Sequence, residues 1–189
     1  MVQGNEQCSK IFGIGLNKTG TSTLGKAGTL LGLRTTGSDR KLLRDFRLRN
    51  DFTGVKERVN DYDLFQDWPW PLMYKELDQM YPESKFILTV RKSEDIWIES
   101  LKKHSMKKRT FAHSRKLAYG FNFPHRNIEE HLEIYRKHND EVREHFKDRK
   151  ENFIELCWEN GDGFPELCKF LNCDVPDSPL PHAMRGADR

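Results

Sequence analysis

The chain has 189 residues, 36% hydrophobic and 32% charged, with a formal net charge of +3. That suits one domain spanning residues 1–189, a modest core under a heavily charged surface. The small charge gives no case for nucleic-acid binding, and no stretch approaches the roughly 18 apolar residues of a membrane span.

The opening residues, MVQGNEQCSK, lack the apolar core of a signal peptide. Cys8, Cys157, Cys168 and Cys173 form no CxxC pair, and no histidine lies beside them at zinc-ligand spacing. These features predict a soluble cytoplasmic protein in a reducing compartment, with Cys157 and Cys168 as small core fillers.

In chain order, "KIFGIG" reads as a buried strand and is followed by a helix over about residues 21–33. "DLFQD" reads as a second short strand. After Pro71, which suits a first helical turn because it has no N–H to satisfy, a helix runs through Met73, Leu77 and Met80. "KFILTV", apolar at nearly every position, is the clearest buried parallel strand. Ser93 then caps a helix whose first turn carries Glu94 and Asp95, favourable against the helix dipole.

Residues 101–116, "LKKHSMKKRTFAHSRK", concentrate seven lysines and arginines with two histidines. This is either a solvated face or a cationic rim that draws in an anionic ligand. Over about residues 127–149, Ile128, Leu132, Tyr135, Val142 and Phe146 recur at helical spacing. "NFIEL" reads as a fourth strand and "FPELCKFL" as a closing helix. Alternating strands and helices predict an α/β fold, a parallel central sheet with helices on both faces. In such sheets ligands bind beyond the carboxyl ends of the strands, where residues 17–22, Asp67 and Arg91 fall.

The turn after the first strand, "GLNKTGTSTL", has the makings of a phosphate cradle. Glycines let backbone N–H groups converge, the helix start supplies partial positive charge, and Thr19, Thr21, Ser22 and Thr23 add hydroxyls. Lys18 adds a full charge, worth roughly 4 kcal/mol per close anion at intermediate dielectric before desolvation. Yet Gly15 and Gly20 are followed by Thr21, whereas an ATP-type GxxxxGK[ST] loop has its lysine there. The dinucleotide fingerprint fails as well, because Lys18 stands at its third glycine. The strand "FILTV" ends in Arg91, where a magnesium-organising aspartate would be expected.

"GLNKTGTSTL" resembles the 5′-phosphosulfate loop of the sulfotransferases, and "FILTVRKSEDIWIES" resembles their 3′-phosphate motif. "FQDWPWPLMYKELDQMYPESKF" and "ENGDGFPELCKFLNCDVPDSPLPH" are similar to segments of small bacterial-type members. The resemblance runs from Ile11 to His182. It implies a P-loop nucleotide-kinase-like three-layer sandwich and 3′-phosphoadenosine 5′-phosphosulfate (PAPS) as donor. The product is 3′-phosphoadenosine 5′-phosphate (PAP), formed without a metal.

By that resemblance Lys18 neutralises the bridging oxygen, while Thr19, Gly20, Thr21, Ser22 and Thr23 hold the 5′-phosphate. Arg91 holds the 3′-phosphate, with Ser100 as its partner. The family's serine usually lies eight residues after the arginine, which here is Glu99. Asp67 is the candidate base, although a carboxylate of ordinary pKa near 4 is a weak one. A role in capping its turn or orienting Lys18 is the alternative. His104 and His113 are rival bases. Trp68, Trp70, Phe121 and Phe123 either line an acceptor pocket or belong to the core, and 161–163 resembles a late loop that closes over the donor. The expected acceptor is a small molecule or glycan. A P-loop kinase or NTPase, and a non-catalytic nucleotide-binding module, are the competing functions.

Overall fold

The computed structural model describes residues 9–107 and 114–181. Strands β1 (Ile11–Gly13), β2 (Thr35–Thr36), β3 (Leu64–Phe65), β4 (Lys85–Thr89) and β5 (Phe153–Leu156) form one sheet in the order β2-β3-β1-β4-β5. Every pairing is parallel, with Phe12 opposite both Phe65 and Phe86. This is the P-loop-kinase-like α/β arrangement, and it puts the exits of β1, β3 and β4 side by side at one edge.

Strand side chains alternate between two faces. Phe12, Ile14, Phe65, Phe86 and Leu88 point to one face, where α3 (Thr53–Asp61), α4 (Tyr74–Met80) and α7 (Ile128–His145) cover them. Ile11, Leu64 and Ile87 point to the other, under α1 (Thr21–Leu30) and α8 (Phe164–Leu171). Phe12 stacks on Phe65 and Phe86 at centroid distances of 5.0 and 5.5 Å, an aromatic row running across three strands. Each such fully buried side chain contributes about 1.5–3 kcal/mol of hydrophobic stabilisation. A third cluster packs α2 (Arg40–Arg49), α5 (Glu94–Lys107), α6 (Ser114–Tyr119) and α7 around Leu16 of the loop that follows β1.

Several elements differ from the sequence reading. The sheet has five strands rather than four, because Thr35–Thr36 is too short to show any period. "DLFQD" is therefore the third strand, ordered only at Leu64–Phe65. Helix α1 stops at Leu30 instead of running to 33, since Gly32 turns the chain at φ 80°. Pro71 lies in a 3₁₀ turn, Trp70–Met73, held by i→i+3 bonds from Trp70 N–H to Asp67 and from Leu72 N–H to Pro69; α4 begins only at Tyr74. Helices α2, α3 and α6 were not anticipated. Ser93 caps α5 as expected, its Oγ accepting the Ile96 N–H at 3.3 Å. Cys157 and Cys168 are buried thiols, whereas Cys8 lies outside the described residues. No described helix is long and apolar enough to cross a membrane.

Candidate functional site

Side chains cap five carbonyls of the loop between β1 and α1, four of them reaching in from distant elements. His138 of α7 donates Nε2–H to Ile14 at 2.8 Å. Thr19 Oγ1 donates to Leu16 at 2.6 Å. Trp97 of α5 donates Nε1–H to Asn17 at 2.9 Å. Arg91 donates Nε–H to Lys18 at 2.6 Å, and Trp158, in a 3₁₀ turn after β5, donates to Gly20 at 3.3 Å. The N–H groups of Lys18, Gly20, Thr21 and Ser22 have no acceptor among the described residues, the last two because a helix start offers none. No acidic residue lies in the first turn of α1 to compete with an anion there.

Two glycines permit this geometry. A Cβ on Gly15 would stand 2.3 Å from the Thr89 carbonyl, so only glycine lets the loop cross the end of β4. Gly20 sits at φ 96°, and a Cβ there would stand 2.3 Å from the Trp158 ring. Lys18 and Asp67 adopt the same left-handed region at φ 71° and 66° without being glycine. Such backbone costs of order 1–3 kcal/mol and persists where the surroundings impose it.

Lys18 is half-buried and forms no salt bridge among the described residues. Burial lowers its pKa, the nearby Arg91 charge lowers it further, and the Asp67 carboxylate opposes both. Lys18, Arg91 and Asp67 are thus one electrostatic unit, brought together from the exits of β1, β4 and β3. Arg91 is set by its own backbone, whose N–H donates to the Tyr135 hydroxyl at 3.0 Å; Tyr135 in turn stacks on Trp97 at 4.5 Å.

The hydroxyls separate into two groups. Thr19 is fully buried and its Oγ1 bonds Leu16 and, at 2.7 Å, Thr89, so its side chain braces the loop from behind. Thr21 and Thr23 are also buried, while Ser22 is half-exposed at the helix start. On α5, Ser100 lies about 60° around the helix from Trp97, which contacts the loop. Glu99 lies on the outer side, exposed and paired with Lys102 at 2.8 Å.

Asp67 is half-buried, and its Oδ1 accepts the Trp68 N–H at 2.8 Å, which closes its own turn. Beside it, Tyr119 of α6 packs edge-on to Trp68 and donates its hydroxyl to Asn17 Oδ1 at 2.5 Å. Burial, reinforced by the Asp67 charge, raises the Tyr119 pKa well above its ordinary value, so it stays a donor. Trp68 and Trp70 are core residues; Phe121 and Phe123 are more open. His104 Nδ1 faces the Arg115 guanidinium at 3.2 Å and serves as its acceptor. His113 lies outside the described residues.

Sequence reading passed over Trp97, Tyr119, His138, Trp158 and Glu159, and it placed Tyr135 only in the apolar stripe of a helix. Only Trp158 and Glu159 had a usable signal, since they follow directly on a strand exit next to the glycines at 161 and 163.

Comparison with known proteins bears on the family and the fold. A family model described as a sulfotransferase domain matches residues 10–188. A curated Aspergillus versicolor protein, "Ava biosynthesis cluster protein M", is 27% identical over 213 residues, covering 92% of this chain and 80% of its own. The crystal structure of a sulfotransferase from Alicyclobacillus acidocaldarius superposes with a TM-score of 0.56 at 16% identity, covering 94% of this chain and 85% of that one, a likeness of fold.

Proposed function

Because the chain belongs to the sulfotransferase family, we propose that it transfers a sulfuryl group from PAPS to a hydroxyl or amine of a small-molecule or glycan acceptor, without a metal ion. The observation that carries this reading is the loop itself: five of its carbonyls are capped by side chains, while the N–H groups of Lys18, Gly20, Thr21 and Ser22 have no acceptor and Lys18 no salt bridge among the described residues. Such a loop fits a 5′-phosphosulfate, and its displaced lysine fits a charge developing on the bridging oxygen.

The donor supplies the sulfuryl group and leaves as PAP. Lys18 neutralises the leaving oxygen, and its lowered pKa reflects a partly dehydrated ammonium. The N–H groups at residues 18 and 20–22 orient the 5′-phosphate, and Ser22 adds a hydroxyl. Arg91 holds the 3′-phosphate, with Ser100 on the adjoining flank of α5. Asp67 accepts the acceptor's proton as the new S–O or S–N bond forms; its field also keeps Lys18 protonated.

Thermal shift tests the donor class directly. PAP is expected to stabilise the protein, by about 2.7 kcal/mol at 100 times its dissociation constant, whereas ATP with magnesium and NAD should do little. Transfer should proceed in EDTA. Stabilisation by magnesium ATP alone would move the protein to the kinase class.

A further inference from the structure

The carboxylate of Glu159 stands where an anion bound by Arg91 would stand. Its Oε1 accepts from Arg91 Nη1 at 2.5 Å, and its Oε2 accepts the Lys92 N–H at 3.0 Å. A guanidinium and a main-chain amide, both at a strand exit, are a donor pair suited to a phosphate. Here an internal carboxylate takes both. Arg91 Nε is already committed to the Lys18 carbonyl, so the Nη1 edge is the part that Glu159 covers.

Glu159 is also held in a way that permits release. It belongs to the three-residue 3₁₀ turn Trp158–Asn160, which ends at Gly161 with φ 98° and open space around its Cα. The Arg91 and Glu159 side chains are 22% and 30% exposed, so solvent and a solute anion can reach the pair from one side. A phosphate with greater charge and more acceptor oxygens can displace it. The neighbouring Trp158 rests on Gly20, so the turn that carries Glu159 touches the loop as well.

We propose that Glu159 is an internal substitute for the donor's 3′-phosphate: its carboxylate and that phosphate compete for Arg91, and the donor exchanges one for the other on binding. Glu159 thereby sets how strongly the site prefers 3′-phosphorylated nucleotides. The inference rests on the sulfotransferase reading.

The test measures affinities of PAP and 5′-AMP, by calorimetry, for the parent protein, Glu159→Gln and Glu159→Asp. The aspartate keeps the charge and loses the reach. Both variants are expected to bind PAP at least tenfold more tightly than the parent does, with 5′-AMP changing less than threefold. Tighter PAP binding in the glutamine variant only, or an equal gain for 5′-AMP, overturns the inference in favour of bulk charge. Unchanged or weaker PAP binding in both variants overturns it by making Glu159 a support for Arg91. In all these cases the parent still prefers PAP to 5′-AMP. If no protein in the set distinguishes the two ligands, the donor reading falls together with the inference.

Discussion

Arg91 donates its Nε–H to the main-chain carbonyl of Lys18 at 2.6 Å, across 73 residues of sequence. The two cations expected to grip opposite ends of one nucleotide are therefore coupled through backbone. An arginine in this position does two things: it presents charge, and it holds the loop backbone at Lys18, which sits at φ 71°.

Lys18→Ala should abolish sulfuryl transfer, with a loss of at least about 100-fold, the scale of removing one group that stabilises transition-state charge. Lys18 has no ion pair to lose among the described residues, so the melting temperature should hardly move. Turnover alongside thermal denaturation checks both halves. Full activity in the variant would remove Lys18 from the mechanism.

Arg91→Ala should weaken PAP binding at least tenfold more than 5′-AMP binding, measured by calorimetry. It should also destabilise the fold, because the Lys18 carbonyl and Glu159 each lose a donor. Arg91→Lys is expected to recover part of the PAP affinity and little of the stability, since an ammonium cannot span both contacts. Equal losses for PAP and 5′-AMP would make Arg91 purely structural.

His138, half-buried against the sheet-side loop, predicts an acid-sensitive fold. Burial lowers its pKa to about 4, so in the folded protein it stays neutral and keeps its Nε2–H on Ile14. Unfolded, it titrates near its ordinary value of about 6.5. Between these values the unfolded chain takes up a proton that the folded one refuses. Stability is therefore unaffected above about pH 6.5 and falls as pH drops toward 4, by on the order of 3 kcal/mol in all. Denaturant titrations from pH 7 to 4 should show His138→Gln with a flatter profile than the parent. Parallel profiles would discard the assignment.

Gly20→Ala should destabilise the protein by about 1–3 kcal/mol, combining a left-handed backbone with a clash against Trp158. Adding Trp158→Ala relieves the clash and leaves the backbone cost. The double variant should therefore be more stable than the sum of the two single losses, and a strictly additive pair would show that Trp158 does not press on Gly20. Equilibrium unfolding of the four proteins closes the cycle.

Much of the fold was legible because its signals are local. The apolar runs of β1, β4 and β5, the Ser93 cap and the stripe of α7 each lie within one element. Two-residue β2 carries no such period, and in α2 the apolar Leu42, Leu43 and Phe46 are set among Arg40, Lys41, Arg44, Arg47 and Arg49, a short stripe that the charge run masks. At the site, Lys18, Arg91 and Asp67 could be named from strand exits alone. That Thr19 braces the loop from behind could not, because its partner Thr89 is 70 residues away.

The sequence by itself determined the parallel α/β class, the glycine-bearing loop with its displaced lysine, and an arginine at the end of the best strand. These follow from periodicity, from the backbone freedom of glycine and from residue type, all read within a short window. Only the tertiary structure decided how the loop is held open. The caps on Asn17, Ile14 and Gly20 come from residues 80, 124 and 138 positions away. It also decided that a glutamate occupies Arg91. Hydrogen bonds act over about 3 Å whatever the separation along the chain, so partners that far apart meet only once the sheet has placed its strand exits side by side.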